Sequence, residues 1–318
     1  MLKKNYLSSL IIFIFSFSLF IQCQKDGVEN NSLPKDSTQI SQKDSLKSPE
    51  PVKSPIKYTA FIFPKKKKDS AMAVFNEKFS AEERYTILAL NRLDSKNKWR
   101  ADTLMIPDQI DSTLMSYSPF PANLEKLEKV NKIVFFSYPI QAYALYEKGN
   151  LVKWGPTSLG KKSAQTKRGL LFANWKKELA ISTVDSDWKL PYNFNIHNTL
   201  GIGWHQYDLP GFPASHSCLR LLEKDAKYLY NWADQWTLNK GGNSVKANGT
   251  PVIVFGDYKW GGKKPWKNLA EDPKSTAISE EEMNKLIMPN LTKILAEQEK
   301  TEAEKVQNPV TQPESSSR

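Results

Sequence analysis

The chain opens with an apolar run, Leu7 to Ile21, broken only by Ser8, Ser9, Ser16 and Ser18 and preceded by Lys3 and Lys4. The run falls short of the roughly 20 residues a spanning helix needs, and it has the make-up of an export signal. Residues 24–57 then alternate Ser, Lys, Asp, Gln and Pro with almost no large apolar side chain, the pattern of a disordered tether. Apolar blocks return at 58. Ser80-Ala-Glu-Glu83 predicts a capping box opening a helix through Tyr85, Leu88 and Ala89, and Leu104-Met-Ile-Pro107 a short strand stopped by proline. The basic run Lys65–Lys68 reads as a solvated turn.

Residues 131–260 are patterned mostly for strands. Ile133-Val-Phe-Phe136 reads as a buried strand, and Gln141 to Tyr146 alternates before a Lys148-Gly149-Asn150 turn. Gly169–Ala173 and Val252–Phe255 are further strands. One amphipathic helix is expected over 223–236, with Ala226, Leu229, Tyr230, Ala233 and Trp236 on one face. Beyond it, Trp260-Gly-Gly and Pro265-Trp266 read as an extended strap. Ser279 and Glu282 cap a helix carrying Met283, Leu286 and Ile287; Pro289 interrupts it before Leu291, Ile294 and Leu295 resume the apolar face, and a polar tail follows.

These patterns predict a mostly β protein with a few helices, in five parts: a signal over 1–23, the tether over 24–57, a small α+β region over 58–130, a β-rich domain over 131–260, and a C-terminal extension over 261–318. Its 318 residues suffice for at least one well-buried core. The formal net charge of +11, most of its excess inside 131–260, favours an anionic partner. Nothing in the chain has the pattern of a nucleic-acid module, and export argues against one.

The two cysteines and three histidines are the scarce chemistry. Cys23 directly follows the apolar run, in the place of the acylated cysteine of a bacterial lipoprotein; the other reading is an uncleaved anchor helix with an incidental cysteine. With Cys23 acylated, Cys218 is the remaining thiol, in a compartment where thiols usually pair. All three histidines precede it closely, at 197, 205 and 216. The spacing lacks the close pairs of a zinc site. A core role suits His197, and a buried structural cysteine is the plain alternative for Cys218. A Cys–His site is the chemical reading: a thiol of ordinary pKa needs a base or a positive field, which His205 at a strand end could supply. The turn Ala214-Ser-His-Ser-Cys218 is expected to deliver the thiol to the N-terminus of the 223–236 helix, whose free N–H groups would hold an oxyanion.

Gly203-Trp204-His205 followed by Leu209-Pro-Gly-Phe-Pro-Ala-Ser-His-Ser-Cys-Leu-Arg-Leu221 resembles the active-site signature of the YkuD-type L,D-transpeptidases. The likeness extends through Gln141–Tyr146, Ser158-x-Gly160, Thr166-x-x-Gly169 and Pro251–Phe255. It implies a β-sandwich-like catalytic domain that acts on the stem tetrapeptides of peptidoglycan through a thioacyl-enzyme, without cofactor or metal. Carried over by motif, Cys218 is the nucleophile, His205 the base held by a backbone carbonyl, and His216 shapes the turn. Ser215, Ser217, Arg220 and Trp204 are the expected substrate or oxyanion contacts; Arg220 either pairs with a substrate carboxylate or braces the turn. The enzyme would be periplasmic and lipid-anchored, with the membrane as second partner. The same thioester attacked by water would make a carboxypeptidase or wall amidase, and a weakly active wall-binding protein is the remaining alternative. In 58–130, a helix, Asn91-x-Leu93-Asp94 and Leu104-x-Ile106-Pro107 resemble the second half of a LysM module; the other reading of this region is a structural cap on the domain that follows. Two positions depart from the YkuD pattern: no proline follows Thr166, and Ser217 stands where the family has glycine. A serine there either strains the turn or lends its hydroxyl to the oxyanion; the second is the expectation.

Overall fold

The computed structural model describes residues 55–182 and 185–307. The signal, Cys23, nearly all of the tether and the polar tail lie outside the described residues. The N-terminal region is a strand–helix–helix–strand unit: β1 (Tyr58–Ile62), α1 (Lys68–Lys78), α2 (Ala81–Leu90) and β2 (Thr103–Pro107). The two strands pair antiparallel, Tyr58 opposite Pro107 and Ile62 opposite Thr103. Ser80 caps α2 as its sequence requires: its hydroxyl accepts from the Glu83 N–H at 3.2 Å, and the Glu83 carboxylate accepts from the Ser80 N–H at 2.7 Å. Phe63, Met72, Phe75, Ile87, Leu88 and Leu104 form a small core of their own. The helix and second strand read from the pattern are present. The preceding strand and helix were not read, and the basic run is not a plain turn: Lys65–Lys67 form one exposed 3₁₀ turn and Lys68 opens α1.

The β-rich region is a curled nine-stranded sheet made of β3 (Ile133–Ser137), β4 (Ala142–Glu147), β5 (Asn150–Ser158), β6 (Gly169–Phe172), β7 (Lys176–Ile181), β8 (Lys189–His197), β9 (Ile202–Gln206), β10 (Leu219–Leu221) and a last strand at Pro251–Phe255. A small hairpin, β11 (Thr237–Leu238) with β12 (Val245–Ala247), precedes that last strand, β13. The spatial order is β6-β13-β3-β4-β5-β10-β9-β8-β7. Side chains alternate across a strand, so each face buries its own set. Ile133 and Phe135 enter one core with Leu124, Leu127 and Trp154, covered by Met283 and Ile287 of α4 (Glu280–Ile287) and Ile294 of α5 (Leu291–Gln307). Val134 and Phe136 enter the other, where the curl brings β8 and β9 over β3: Phe136 stacks on Trp204 at 6.3 Å, and Trp204 meets Phe194 at 4.8 Å. Ala226 and Leu229 of α3 (Glu223–Trp232) close this second core.

The mostly β expectation thus holds, with sandwich-like closure achieved by one sheet folding over itself. Helix α3 is shorter than expected. It stops at Trp232, Ala233 is extended with ψ 145°, and Trp236 lies beyond it.

One buried cation ties three parts of the chain together. Arg92, directly after α2 and at φ 62°, is 2% exposed. It donates from Nε to the Ile140 carbonyl at 2.8 Å and from Nη1 to the Leu90 carbonyl at 2.6 Å. Its guanidinium lies between the rings of Trp154 on β5 and Trp266 of the C-terminal strap, at 5.6 and 5.2 Å. Replacing it with alanine leaves two buried carbonyls unpaired and a void between two tryptophans. Arg92→Ala is expected to lower the unfolding free energy by about 3 kcal/mol, read by urea denaturation; a loss below about 1 kcal/mol would show that the clamp contributes no net stability.

Candidate active site

The site is built on the pairing of β9 with β10. These strands run parallel, with Leu219 opposite Trp204 and Arg220 opposite His205. Alternation then puts His205 and Arg220 toward one side and Trp204 and Leu219 toward the core. Cys218, one residue before β10, shares the side of Arg220, and the backbone of Gly203 acts on its thiol in favour of the thiolate. Gly203 is required at this point: a Cβ there would sit 2.5 Å from the Phe194 carbonyl oxygen of the neighbouring strand.

Parallel strands need a crossover, here the loop 207–218. The loop is pinned at both ends of its path. On one side Pro210 bridges to Leu93, and the Asp94 N–H donates to the Leu209 carbonyl at 3.2 Å. On the other, Ser215 donates its N–H to the Leu159 carbonyl at 3.1 Å and accepts from the Lys161 N–H at 2.8 Å. The Ser158 hydroxyl accepts from the Ala214 N–H at 3.1 Å and donates to the Phe212 carbonyl at 2.8 Å. The buried Ser215 hydroxyl donates to the carbonyl of Cys218 and closes the turn. The 158–166 loop is braced in turn by Gly160 N–H to Thr166 Oγ1 at 2.9 Å and by the Thr166 N–H to the Tyr138 hydroxyl at 2.6 Å.

His205 is 4% exposed, and its Nδ1 lies 2.9 Å from the Gln206 carbonyl. A carbonyl only accepts, so Nδ1 carries the proton and Nε2 keeps its lone pair. Burial is the main force on this imidazole and holds its pKa down to about 4; the Gln206 carbonyl pulls the other way and the Arg220 charge adds to the depression. Burial also pushes the half-buried Cys218 thiol up, against the Gly203 backbone and Arg220, which favour the thiolate. At neutral pH the resting pair is therefore a neutral thiol and a neutral imidazole. The thiol's own contact is to the Gly201 carbonyl, at 3.9 Å. Both groups line one small cavity with Trp188, Tyr207, His216 and Arg220.

The comparisons with known proteins give one decisive match. Residues 131–254 match the family model of the YkuD L,D-transpeptidase catalytic domain. The match covers the β-rich part of the chain, the two residues of the candidate pair included. Among solved structures, the chain is similar to an L,D-transpeptidase from Stackebrandtia nassauensis, at 25% identity over 41% of this chain and 57% of that one, TM-score 0.33. It is similar to an L,D-transpeptidase from Mycobacterium smegmatis at 18% identity over 40% and 59%, TM-score 0.32. A third is L,D-transpeptidase 1 of Mycobacterium tuberculosis, at 20% identity over 39% and 62%, TM-score 0.30. The chain spans less than two thirds of the length of each. The comparison with curated proteins finds no significant match.

Within the matched stretch the structure brings His205, Cys218, Ser215, His216 and Arg220 together, and it corrects several expectations. Trp204 is no substrate contact; it is fully buried between Phe136 and Phe194 because the alternation of β9 turns it inward. Cys218 does not sit at a helix N-terminus. It leads into strand β10, and α3 begins only at Glu223, so helix N–H groups are not at the thiol. His197 is no core residue: half-buried at the end of β8, it faces Lys167 Nζ at 3.0 Å and accepts from the Leu200 N–H at 3.3 Å. His216 is exposed beside Lys161 Nζ, at 2.6 Å, and the Trp188 ring, at 5.2 Å. Burial and the Lys161 charge both lower its pKa. Arg220 stacks on Tyr207 at 4.5 Å and reaches the Asp208 carbonyl at 3.4 Å, which favours the bracing role. Among the described residues, no group of three His, Cys, Asp or Glu could hold a metal ion. Sequence reasoning missed Tyr207, Trp188 and Lys161. Tyr207 could have been found from the period of two, since it shares the face of His205 two residues earlier.

Ser217 adopts φ 86°, the left-handed region that suits glycine. Its hydroxyl donates to the Ala164 carbonyl at 3.4 Å, so the strained turn is the observed arrangement and the hydroxyl is engaged away from an oxyanion role. Ser217→Gly is expected to raise stability by about 1 kcal/mol in urea denaturation, while Ser217→Ala, which keeps the Cβ, brings no gain. Equal stability of the glycine variant and the parent would show that the turn carries no strain.

Proposed function

We propose that the protein is a cysteine-dependent L,D-transpeptidase acting on peptidoglycan stem peptides. The observation that carries this reading is that Cys218 and His205, whose Nδ1 is held by the Gln206 carbonyl so that Nε2 is left free, line one cavity inside the stretch that matches that family. As Sγ attacks the carbonyl before the terminal residue of a tetrapeptide stem, Nε2 takes the thiol proton; no preformed ion pair is needed. A base of depressed pKa stays neutral and available across the physiological range. The backbone N–H groups of Ser217 and Cys218 donate to no carbonyl among the described residues. In the left-handed turn at Ser217 they are the donors this reading assigns to the oxyanion. Collapse of the tetrahedral intermediate breaks the C–N bond, and imidazolium His205 protonates the departing amine. An acceptor amine then attacks the thioester, Nε2 takes its proton, and the C–S bond breaks to restore the thiol.

Export and lipid attachment at Cys23 belong to the same proposal, supported by the Lys3-Lys4 and Leu7–Ile21 pattern.

Incubation with a tetrapeptide donor followed by intact-mass measurement tests the chemistry. The expected product is a donor adduct, less its terminal residue, on Cys218. It should be absent from Cys218→Ala and formed about 10²- to 10⁴-fold more slowly by His205→Ala. An adduct that persists in Cys218→Ala would remove this cysteine from the reaction.

A further inference from the structure

A cavity of about 420 Å³ lies between α2, the loop after it, and the residues that follow β9. This is an ordinary size for a ligand site, whereas the cavity holding Cys218 and His205 is only about 40 Å³. Tyr207 lines both. Its ring meets His205 edge-on at 5.9 Å on one side and stacks under Arg220 at 4.5 Å. Gln206, whose carbonyl holds the His205 imidazole, also lines the large cavity. The large cavity therefore adjoins the catalytic one on the His205 side. Its floor is apolar, Leu88 and Leu93, and its walls carry both signs of charge. Lys96 pairs with Asp208 at 3.4 Å at the rim, while Lys98 and Glu223 have no ion-pair partner among the described residues.

The chemistry of transfer says what belongs there. In the acylation step His205 gives its proton to the departing amine, and in the transfer step it takes one from the incoming amine. The two amines therefore occupy the same place, next to Nε2, and the remainder of the acceptor must extend from that place. The catalytic cavity is too small to hold it. A space next to His205, with carboxylates for ammonium groups and unpaired ammoniums for carboxylates, matches a zwitterionic peptide.

We propose that the cavity between α2 and the β9 exit is the acceptor subsite, taking an amine-bearing stem peptide whose reactive nitrogen passes Tyr207 to reach the thioester. This rests on the transpeptidase reading above. The nitrogen forms the new amide bond, the C–S bond breaks, and the amine proton passes through His205 to the sulfur. The N-terminal unit thereby forms part of the substrate site.

Ser95 and Ala81 are exposed residues that line the cavity, and neither lines the catalytic cavity. A tryptophan at either fills the space from the surface. The experiment follows Cys218 acylation by a tetrapeptide donor, then the ratio of transfer to hydrolysis with an amine-bearing tripeptide stem as acceptor. For Ser95→Trp and Ala81→Trp, acylation should stay within about twofold of the parent and the transfer-to-hydrolysis ratio should drop about tenfold, equivalent to about 1.4 kcal/mol of acceptor binding. An unchanged ratio in both variants overturns the subsite, as does a parent that acylates and then only hydrolyses with the acceptor present. A fall in acylation matching the fall in transfer assigns the cavity to the donor and also overturns it. Absence of any Cys218 adduct on the parent overturns the transpeptidase reading and this inference with it.

Discussion

The parallel pairing of β9 with β10 is the constraint on which the site depends. Its register, Arg220 opposite His205, fixes which side chains share a face: the imidazole, the guanidinium and the thiol on one side, Trp204 and Leu219 on the other. A slip of one residue would send the imidazole into the core and the indole to the cavity. The register is held by the core itself, since Trp204 is locked between Phe136 and Phe194. The same burial that secures the register strips water from His205 and Cys218. Packing and proton chemistry thus have one cause.

The parallel arrangement obliges the chain to cross over between the two strands, and the crossover is where the rest of the molecule takes hold. Ser158, Leu159 and Lys161 hold its thiol end, and Leu93 and Asp94 of the N-terminal unit hold its other end. Arg92, the residue before, anchors that unit to β5 and to the C-terminal strap. The small N-terminal unit is accordingly part of the frame around the catalytic cavity. The cost of the tight turn appears at Ser217, whose positive φ is the one conformational strain next to the thiol among the described residues.

What could be read from the sequence follows from how strongly each pattern is enforced. Strands buried on both faces, such as Ile133–Ser137 and Pro251–Phe255, announce themselves as apolar runs. The edge strand β7 does not: its Lys176-Lys-Glu178 start is the charge an exposed edge carries against mispairing, and it looks like loop. β8 is obscured by Pro191, and β10 is only three residues long, so Cys218 seemed to run straight into a helix. The thiol and the histidines were legible because such residues are scarce and clustered. Trp204 was misplaced because proximity in sequence to His205 says nothing of which face a strand residue takes. Tyr207 and Lys161 carry no motif, and only the fold places them at the cavity.

The central claim is that Cys218 and His205 rest as a neutral pair. The most direct measurement is the pH dependence of Cys218 alkylation by iodoacetamide, with Cys23 removed so that one thiol reports. Burial raises the thiol and lowers the imidazole, so the rate should be minimal from pH 5 to 7 and should rise only through and above the ordinary thiol range near about 8.5. A plateau of high reactivity extending below about pH 6 would mean a thiolate–imidazolium pair at rest, and would contradict the account.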